Sequence, residues 1–187
     1  MKHFHKINNL IGFLLFVVSA SVYWMTMEPT VSFWDCGEFI AAAYKLQVGH
    51  QPGAPLFLMI GKLFSFLSMG NTSQIPYWIN FSSVLFSAAT IMFLYWTITL
   101  IAAKLFDKDK TLIDMLTIFS TGIVGALAYT FSDTFWYSAV EAEVYSLSAL
   151  FTAIAFWAIF KWEYSQNDRW IVFIAFIVGL SIGIHLL

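Results

Sequence analysis

Five long apolar segments, separated by short polar connections, dominate this sequence. An α-helix needs about 20 predominantly apolar residues to cross the hydrocarbon core of a bilayer, with a usual range of about 17–25. Each of the segments falls in that range or slightly above it. They are Ile7–Met27, Tyr77–Ala103, Met115–Phe131, Val144–Trp162 and Trp170–Leu187. The pattern predicts an all-α, polytopic membrane protein with about five spans.

The composition supports this class and excludes others. Hydrophobic residues make up 60% of the chain and charged residues only 11%, whereas soluble domains carry about 45–50% and about 25%. Nine Lys and Arg residues on a net charge of −2 provide no basic surface for nucleic acid. The single cysteine, Cys36, excludes an internal disulfide and a cysteine-based zinc site. The lipid bilayer is therefore the one partner that composition alone predicts.

The basic residues predict the side of the membrane on which each loop lies, because short cytoplasmic loops collect Lys and Arg. A sixth apolar stretch, Pro55–Met69, is shorter than a span and is bounded by proline and glycine. If this stretch does not cross, seven of the nine cations lie in the cytoplasm; if it crosses, only Lys2 and Lys6 are clearly there. We therefore predict a cytoplasmic N-terminus, an outer loop over residues 28–76 and an outer connection over residues 132–143.

The predicted outer loop contains two stretches that fit short helices. Residues Asp35–Val48 have the pattern of an amphipathic helix, and Pro55–Met69 fits a second helix lying in or on the membrane. A turn rich in proline and glycine joins them. We treat residues 1–187 as one transmembrane domain that carries two interfacial helices in its first outer loop.

Asp35 and Glu38 form the first polar cluster on the predicted outer face. They are three positions apart and would share one face of a helix. The simpler interpretation is a helix cap, with Asp35 as N-cap and Glu38 as its partner in a capping box. A catalytic pair is the alternative, and the two roles are compatible. A carboxylate beside an apolar surface gains proton affinity.

His50 lies in the turn between the two predicted interfacial helices. A lone histidine more often has a structural hydrogen-bonding role than a catalytic one. Its position just before the helix predicted over Pro55–Met69 also suits an anion, because free N–H groups at a helix N-terminus favour phosphate. The residue is therefore a candidate for binding the phosphate of a substrate.

A third cluster precedes the span predicted over Val144–Trp162. Glu141 and Glu143 are either solvated loop charges that favour the helix dipole, or functional groups, since ionisable residues beside hydrocarbon are costly. His185 lies toward the outer end of the last predicted span. A satisfied helix histidine is the simpler interpretation of that residue.

Three motifs, taken in order, resemble those of a known group of enzymes. The first span, the segment Asp35-Cys36-Gly37-Glu38 and the turn His50-Gln51-Pro52-Gly53 resemble the start of the GT-C superfamily of lipid-linked sugar transferases, and the layout is most similar to the protein O-mannosyltransferases. More specifically, the chain resembles a bacterial family of large membrane proteins that is catalogued as a domain of unknown function. Animal relatives of that family act as O-mannosyltransferases. That family has a later Glu-Val-Tyr motif, here Glu143-Val144-Tyr145, and Gly183-Ile184-His185 resembles its next motif. Gln51 stands where the family usually has proline.

The resemblance implies a GT-C-like fold and the N-terminal part of a longer protein, because family members continue with many more spans. It implies transfer of a sugar from a polyprenyl-phosphate donor to a protein or glycan acceptor on the outer face. Asp35 is expected to be the base, and the other carboxylates to orient it or the acceptor. The implied catalytic residues are Asp35, Glu38 and Glu143, and the implied substrate-binding residues are His50, Glu141, Tyr145 and His185.

Several points stay open at the level of the sequence. No metal ligand is assigned, and a divalent cation at the carboxylates is left open, because the superfamily contains cation-dependent and cation-independent members. The expected location is a bacterial inner membrane, with the active face in the periplasm. A transporter or flippase-like protein, with Asp35, Glu141 and Glu143 along its path, is one alternative, and a non-catalytic membrane subunit is another. Transport sites usually lie near the bilayer midplane, whereas these acids collect at one surface.

Overall fold

The structure, a computed structural model, describes residues 2–51, 53–107 and 110–184. Within these ranges the chain forms eight α-helices, two short 3₁₀ turns (Phe66–Ser68 and Thr72–Gln74) and no strand. The helices are α1 (Lys2–Thr26), α2 (Cys36–Lys45), α3 (Pro55–Ser65), α4 (Ile75–Ala103), α5 (Leu112–Thr130), α6 (Asp133–Ala139), α7 (Val144–Ser165) and α8 (Arg169–Ser181). The predicted all-α, polytopic class is confirmed for the described residues.

Four helices are long and apolar enough to cross a membrane: α1, α4 together with the turn before it, α5 and α7. The 29 residues of α4 span roughly 44 Å at 1.5 Å per residue, against about 30 Å of hydrocarbon. By contrast, the 11 residues of α3 reach only about 16 Å. The shortness of α3 agrees with an interfacial rather than a spanning helix.

The last predicted span differs from the structure. Helix α8 has 13 residues and ends at Ser181, so it is shorter than a span, and residues 185–187 lie outside the described ranges. After Ser181 the chain continues as a turn that contacts the start of α3. The Leu56 N–H donates to the Gly183 carbonyl at 2.7 Å. A Cβ at Gly183 would lie 3.2 Å from the Leu56 Cβ, so a glycine suits this approach.

Helix α4 is the centre of the bundle and packs against α1, α5, α7 and α3. Its buried positions include small polar residues such as Ser82, Ser83 and Ser87. Small side chains allow neighbouring helices to approach closely, which is how helices associate in a bilayer where lipid is as apolar as leucine. The central position of α4 explains why a residue near its start can contact several outer segments at once.

Helices α2, α3 and α6 pack at the end of the bundle where α4 and α7 begin, which is the end predicted to be the outer one. Phe39 of α2 and Phe57 of α3 meet edge to face, with ring centroids 5.5 Å apart. Helix α2 ends earlier than predicted, because Leu46 adopts a left-handed conformation with φ of 50° and Gln47 bonds back to the Ala42 carbonyl. The short helix α6 lies in the connection that was predicted to be a loop.

Candidate active site

Four of the predicted site residues line one small cavity at the end of the bundle where α4 and α7 begin. This cavity, of about 70 Å³, is bordered by Asp35 before α2, His50 in the α2–α3 turn, and Glu143 and Tyr145 at the start of α7. The apolar residues around it include Phe39, Ala54, Val144 and Ile184. The fold thus gathers three segments that are far apart in the sequence. His185, the remaining predicted binding residue on this side, lies outside the described residues.

His50 is held between two carboxylates. Its Nε2 lies 3.8 Å from Asp35 Oδ2, and its Nδ1 lies 3.2 Å from Glu38 Oε2. The backbone N–H of His50 also donates to Glu38 Oε1 at 2.6 Å. These hydrogen bonds, with the backbone bond the larger cause, lower the pKa of Glu38. Glu38 is therefore an ionised acceptor that fixes the ring so that Nε2 faces Asp35.

The predicted capping box at Asp35 and Glu38 is wrong. Asp35 occupies the N-cap position of α2, but among the described residues its side chain makes no capping hydrogen bond. The physical reason is the backbone: capping residues usually adopt an extended conformation, whereas Asp35 has helical angles of −81° and −7°. Glu38 turns to His50 instead. Asp35 therefore borders the cavity and Glu38 holds His50, and neither carboxylate caps the helix.

Glu143 is the buried acid of the cavity, with 8% of its surface exposed. It is the N-cap residue of α7, yet its side chain makes no capping bond within the described part of the chain. Burial, reinforced by the charges of Glu141 and Asp35, raises the pKa of Glu143 to about 7. A group with a pKa near neutrality gains and loses a proton readily, which is what acid–base chemistry requires.

Asn80 of α4 organises this end of the molecule, and our sequence analysis did not identify it. The side chain is fully buried. Its Nδ2 donates to the carbonyls of Glu28 at 2.7 Å and Thr30 at 2.9 Å. Its Oδ1 accepts from the Ala142 N–H at 3.0 Å and lies 3.8 Å from the Cys36 thiol. The signal available in the sequence was an amide side chain near the start of an uncharged span.

Glu141 does not line the cavity of Asp35 and His50. It is 2% exposed, and its Oε2 accepts a short hydrogen bond from the Ser32 hydroxyl. Its Oε1 is buried without a hydrogen-bond partner among the described residues. Burial raises the pKa of Glu141. The residue lines a separate and larger cleft.

The start of α3 has fewer free backbone N–H groups for binding an anion than the sequence predicted. Pro55 has no N–H, and the Leu56 N–H already donates to Gly183, so two of the first three positions of α3 cannot bind a phosphate.

Asp35, Glu38 and His50 are the described residues that could hold a cation. One ligand atom from each lies within 4.8 Å of the others. Such a mixed oxygen and nitrogen set suits a divalent transition metal better than calcium.

Comparison with known proteins gives a consistent result. Residues 35–187 match the family described as Protein O-mannosyl-transferase TMEM260 N-terminal domain. Protein O-mannosyl-transferase tmem260 of Dictyostelium discoideum is 31% identical over 141 residues, which cover 75% of this chain and 16% of the relative. Protein O-mannosyl-transferase TMEM260 of Mus musculus is 27% identical over 172 residues, which cover 92% of this chain and 22% of the relative.

No solved structure matches the chain. The chain spans less than a quarter of the length of these two relatives. The family match begins at Asp35 and runs through α2 to α8, so it contains every residue of the cavity described above. The chain therefore belongs to the family of the Protein O-mannosyl-transferase TMEM260 N-terminal domain.

Proposed function

We propose that this chain supplies the reaction centre of a membrane glycosyltransferase, which moves mannose from a polyprenyl-phosphate donor to a hydroxyl of a protein on the outer face. The observation that carries the proposal is the cavity that gathers Asp35, His50 and Glu143. The relatives' names, which describe protein O-mannosyl-transferases, supply the sugar and the acceptor class. The polyprenyl-phosphate donor and the periplasmic side come from the resemblance and from the distribution of basic residues.

Asp35 is proposed as the base. It takes the proton from the acceptor hydroxyl while that oxygen forms a bond to the anomeric carbon of the sugar. The bond between this carbon and the phosphate oxygen breaks, and polyprenyl phosphate leaves with the electron pair. The carboxylate is about half exposed, so an acceptor can reach it. His50, fixed by Glu38, keeps its Nε2 beside Asp35 and the departing phosphate.

Glu143 is proposed to act in its protonated form. A neutral carboxyl can donate a hydrogen bond to the phosphate oxygen of the leaving group, which stabilises the charge that develops there. When ionised, Glu143 would instead add a negative charge next to Asp35 and repel the donor phosphate. The pKa of about 7 places this change near neutral pH.

The surroundings of the cavity suit a donor that is anchored in lipid. Helix α3 borders the site, and with the 3₁₀ turn after it presents a row of exposed apolar side chains, including Met59, Leu63 and Phe66. In a bilayer such a face contacts acyl chains, while Lys62 of the same helix donates to the Tyr44 carbonyl at 2.6 Å. The phosphate of a lipid-linked sugar lies at the level of the interface, next to this helix.

The transporter alternative has less support. In α1, α4, α5 and α7 every charged residue lies within five residues of a helix end, and α4 has none between Ile75 and Ala103. Transport sites are usually built from broken helices near the bilayer midplane. The candidate acids Asp35, Glu141 and Glu143 instead lie together at one end of the bundle.

The test is sugar transfer by the full-length protein in membranes, with radiolabelled polyprenyl-phosphate mannose as donor. Asp35→Asn keeps the shape of the side chain but removes the proton acceptor, so transfer should fall by roughly 10²–10⁴. Asp133→Asn is the matched control, because Asp133 is exposed at the same end of the bundle and lies outside the cavity. An Asp35→Asn variant that keeps its rate within a few-fold of wild type, at equal protein level, would remove Asp35 from the reaction.

A further inference from the structure

A second cleft, of about 510 Å³, lies beside the proposed reaction centre. One wall is the segment after α1 that carries Glu28, Ser32 and Phe33, and the other is formed by Tyr137 of α6 and by Glu141. The walls are joined, since the Glu28 N–H donates to the Val140 carbonyl at 3.0 Å. The proposed reaction leaves this cleft unused.

The cleft is acidic, and no basic residue of the described part of the chain lines it. The carboxylate of Glu28 accepts the N–H of Thr30 at 2.9 Å and its hydroxyl at 2.6 Å, and these bonds lower the pKa of Glu28. Glu28 is therefore ionised. Glu141 adds a buried carboxyl oxygen that has no partner within the described residues. An unpaired buried oxygen of this kind is costly, and a hydrogen-bond donor that enters the cleft beside Glu141 would relieve that cost.

Aromatic and apolar surface completes the cleft. Phe33 is 81% exposed and Tyr137 is 51% exposed. Exposed aromatic rings of this kind attract the flat faces of peptide groups and the cationic heads of Lys and Arg. A phosphate group, in contrast, would meet only negative charge. The donor is thus excluded from the cleft by charge.

The cleft and the cavity share two of the segments that form them. Phe33 lines the cleft and Asp35 lines the cavity, with Trp34 between them; Glu141 and Glu143 are similarly separated by Ala142. Asn80 bonds to the second of these segments at Ala142. A ligand in the cleft would therefore lie next to the proposed base.

We infer that the cleft is the acceptor subsite, and that it takes a hydroxyl-bearing polypeptide segment that is uncharged or basic rather than acidic. Glu141 accepts a hydrogen bond from the segment, Glu28 attracts its positive charge, and the two aromatic rings hold its backbone. The identification of the bound segment as the sugar acceptor rests on the proposed function. The charge selectivity itself follows from the residues of the cleft.

The test measures peptide binding without turnover. Two synthetic peptides of equal length carry a central Thr and a photoreactive benzophenone residue, one flanked by Lys and the other by Glu. They are irradiated with the full-length protein in lipid nanodiscs, without donor, and the adducts are mapped by mass spectrometry. The Lys peptide should label the segments 26–33 and 137–141. Combined Glu28→Gln and Glu141→Gln substitution should weaken this labelling roughly tenfold, as expected when hydrogen bonds to charged groups are lost.

Glu163→Gln is the matched control, because Glu163 pairs with Lys104 at the opposite end of α7 and should leave labelling unchanged. Equal labelling by both peptides, or adducts that map elsewhere, would overturn the inference. Donor cleavage, measured separately with Asp35→Asn, tests the proposed function. Charge-selective labelling of the cleft without sugar transfer would refute the proposed function alone, and transfer without such labelling would refute the acceptor subsite alone.

Discussion

Asn80→Ala should loosen the outer end of the molecule, because it removes the side chain that joins three segments. The Ala142 N–H loses its acceptor, and the carbonyls of Glu28 and Thr30 lose their donor. A buried N–H left without a partner costs about 1–3 kcal/mol. The two carbonyls lie nearer the surface, where water can replace part of the loss. We therefore expect a destabilisation of roughly 2–4 kcal/mol, within the range of a disrupted buried network.

The rate at which the Cys36 thiol reacts with a maleimide measures this loosening. It is fully buried and lies beside Asn80, so a water-soluble maleimide reaches it only when this end of the molecule opens. In full-length protein without other reactive cysteines, the labelling rate should rise roughly 10²-fold in Asn80→Ala, since 1.4 kcal/mol corresponds to about a factor of ten. Asn71→Ala is the control, because Asn71 is exposed and bonds only within its own turn.

Asn80→Asp separates loss of a donor from loss of volume. The variant keeps an acceptor for Ala142 but places a carboxyl oxygen against the two carbonyls. The folded protein should therefore hold the introduced carboxyl protonated. We therefore expect the variant to be less stable than wild type at neutral pH and to label Cys36 faster than Asn71→Ala does. If Asn80→Ala labels Cys36 no faster than Asn71→Ala does, Asn80 is not the anchor of this region.

Three further predictions concern the reaction centre and the topology. Folding raises the pKa of Glu143 from 4.5 to about 7, so stability should fall between these pH values, and transfer should fall as pH rises through about 7; Glu143→Gln should remove both effects. Glu38→Gln keeps an acceptor for the His50 N–H but loses the charge opposite Nδ1, and it should slow transfer roughly tenfold, with Glu38→Ala slower still. A cysteine at Asn71 should react with an impermeant thiol reagent from outside and one at Asp107 only after permeabilisation; the reverse pattern would contradict the predicted orientation.

The spans could be predicted because hydrocarbon imposes a simple rule on sequence. Long uncharged stretches indicated α1, α4, α5 and α7, and the short run bounded by proline and glycine indicated α3. Helix α8 was overestimated, because the contact between Gly183 and Leu56 is tertiary and leaves no local signal. Helix α6 was missed for a related reason, since seven residues are too few for a periodic pattern.

The sequence predicted most of the residues that meet at the cavity, but it did not predict the hydrogen bonds that they form. Motif order placed Asp35, His50 and Glu143 together, and the cavity contains all three. The local rule for helix caps failed at Asp35, because its backbone is helical and Glu38 turns to a histidine twelve residues away. The role of Asn80 depends on contacts with segments about 50 and 62 residues distant, which no local pattern encodes.

Some predictions stay predictions. The relationship to O-mannosyltransferases is confirmed by the family match. The GT-C placement, the bacterial inner membrane and the periplasmic face have no such support, and the two relatives come from Dictyostelium discoideum and Mus musculus. The domain boundaries and the roles of the site residues also await experiment.

The most direct test of the account is a structure of the full-length protein with a polyprenyl-phosphate sugar bound. The account predicts the phosphate beside His50 and the anomeric carbon close to Asp35. A base must lie within about 2.6–3.2 Å of the hydroxyl whose proton it removes, and that hydroxyl must be about 3–3.5 Å from the anomeric carbon. The Asp35 carboxylate should therefore lie within roughly 6 Å of that carbon. A donor phosphate bound at another end of the bundle, or a sugar out of reach of Asp35, Glu38 and Glu143 alike, would contradict it.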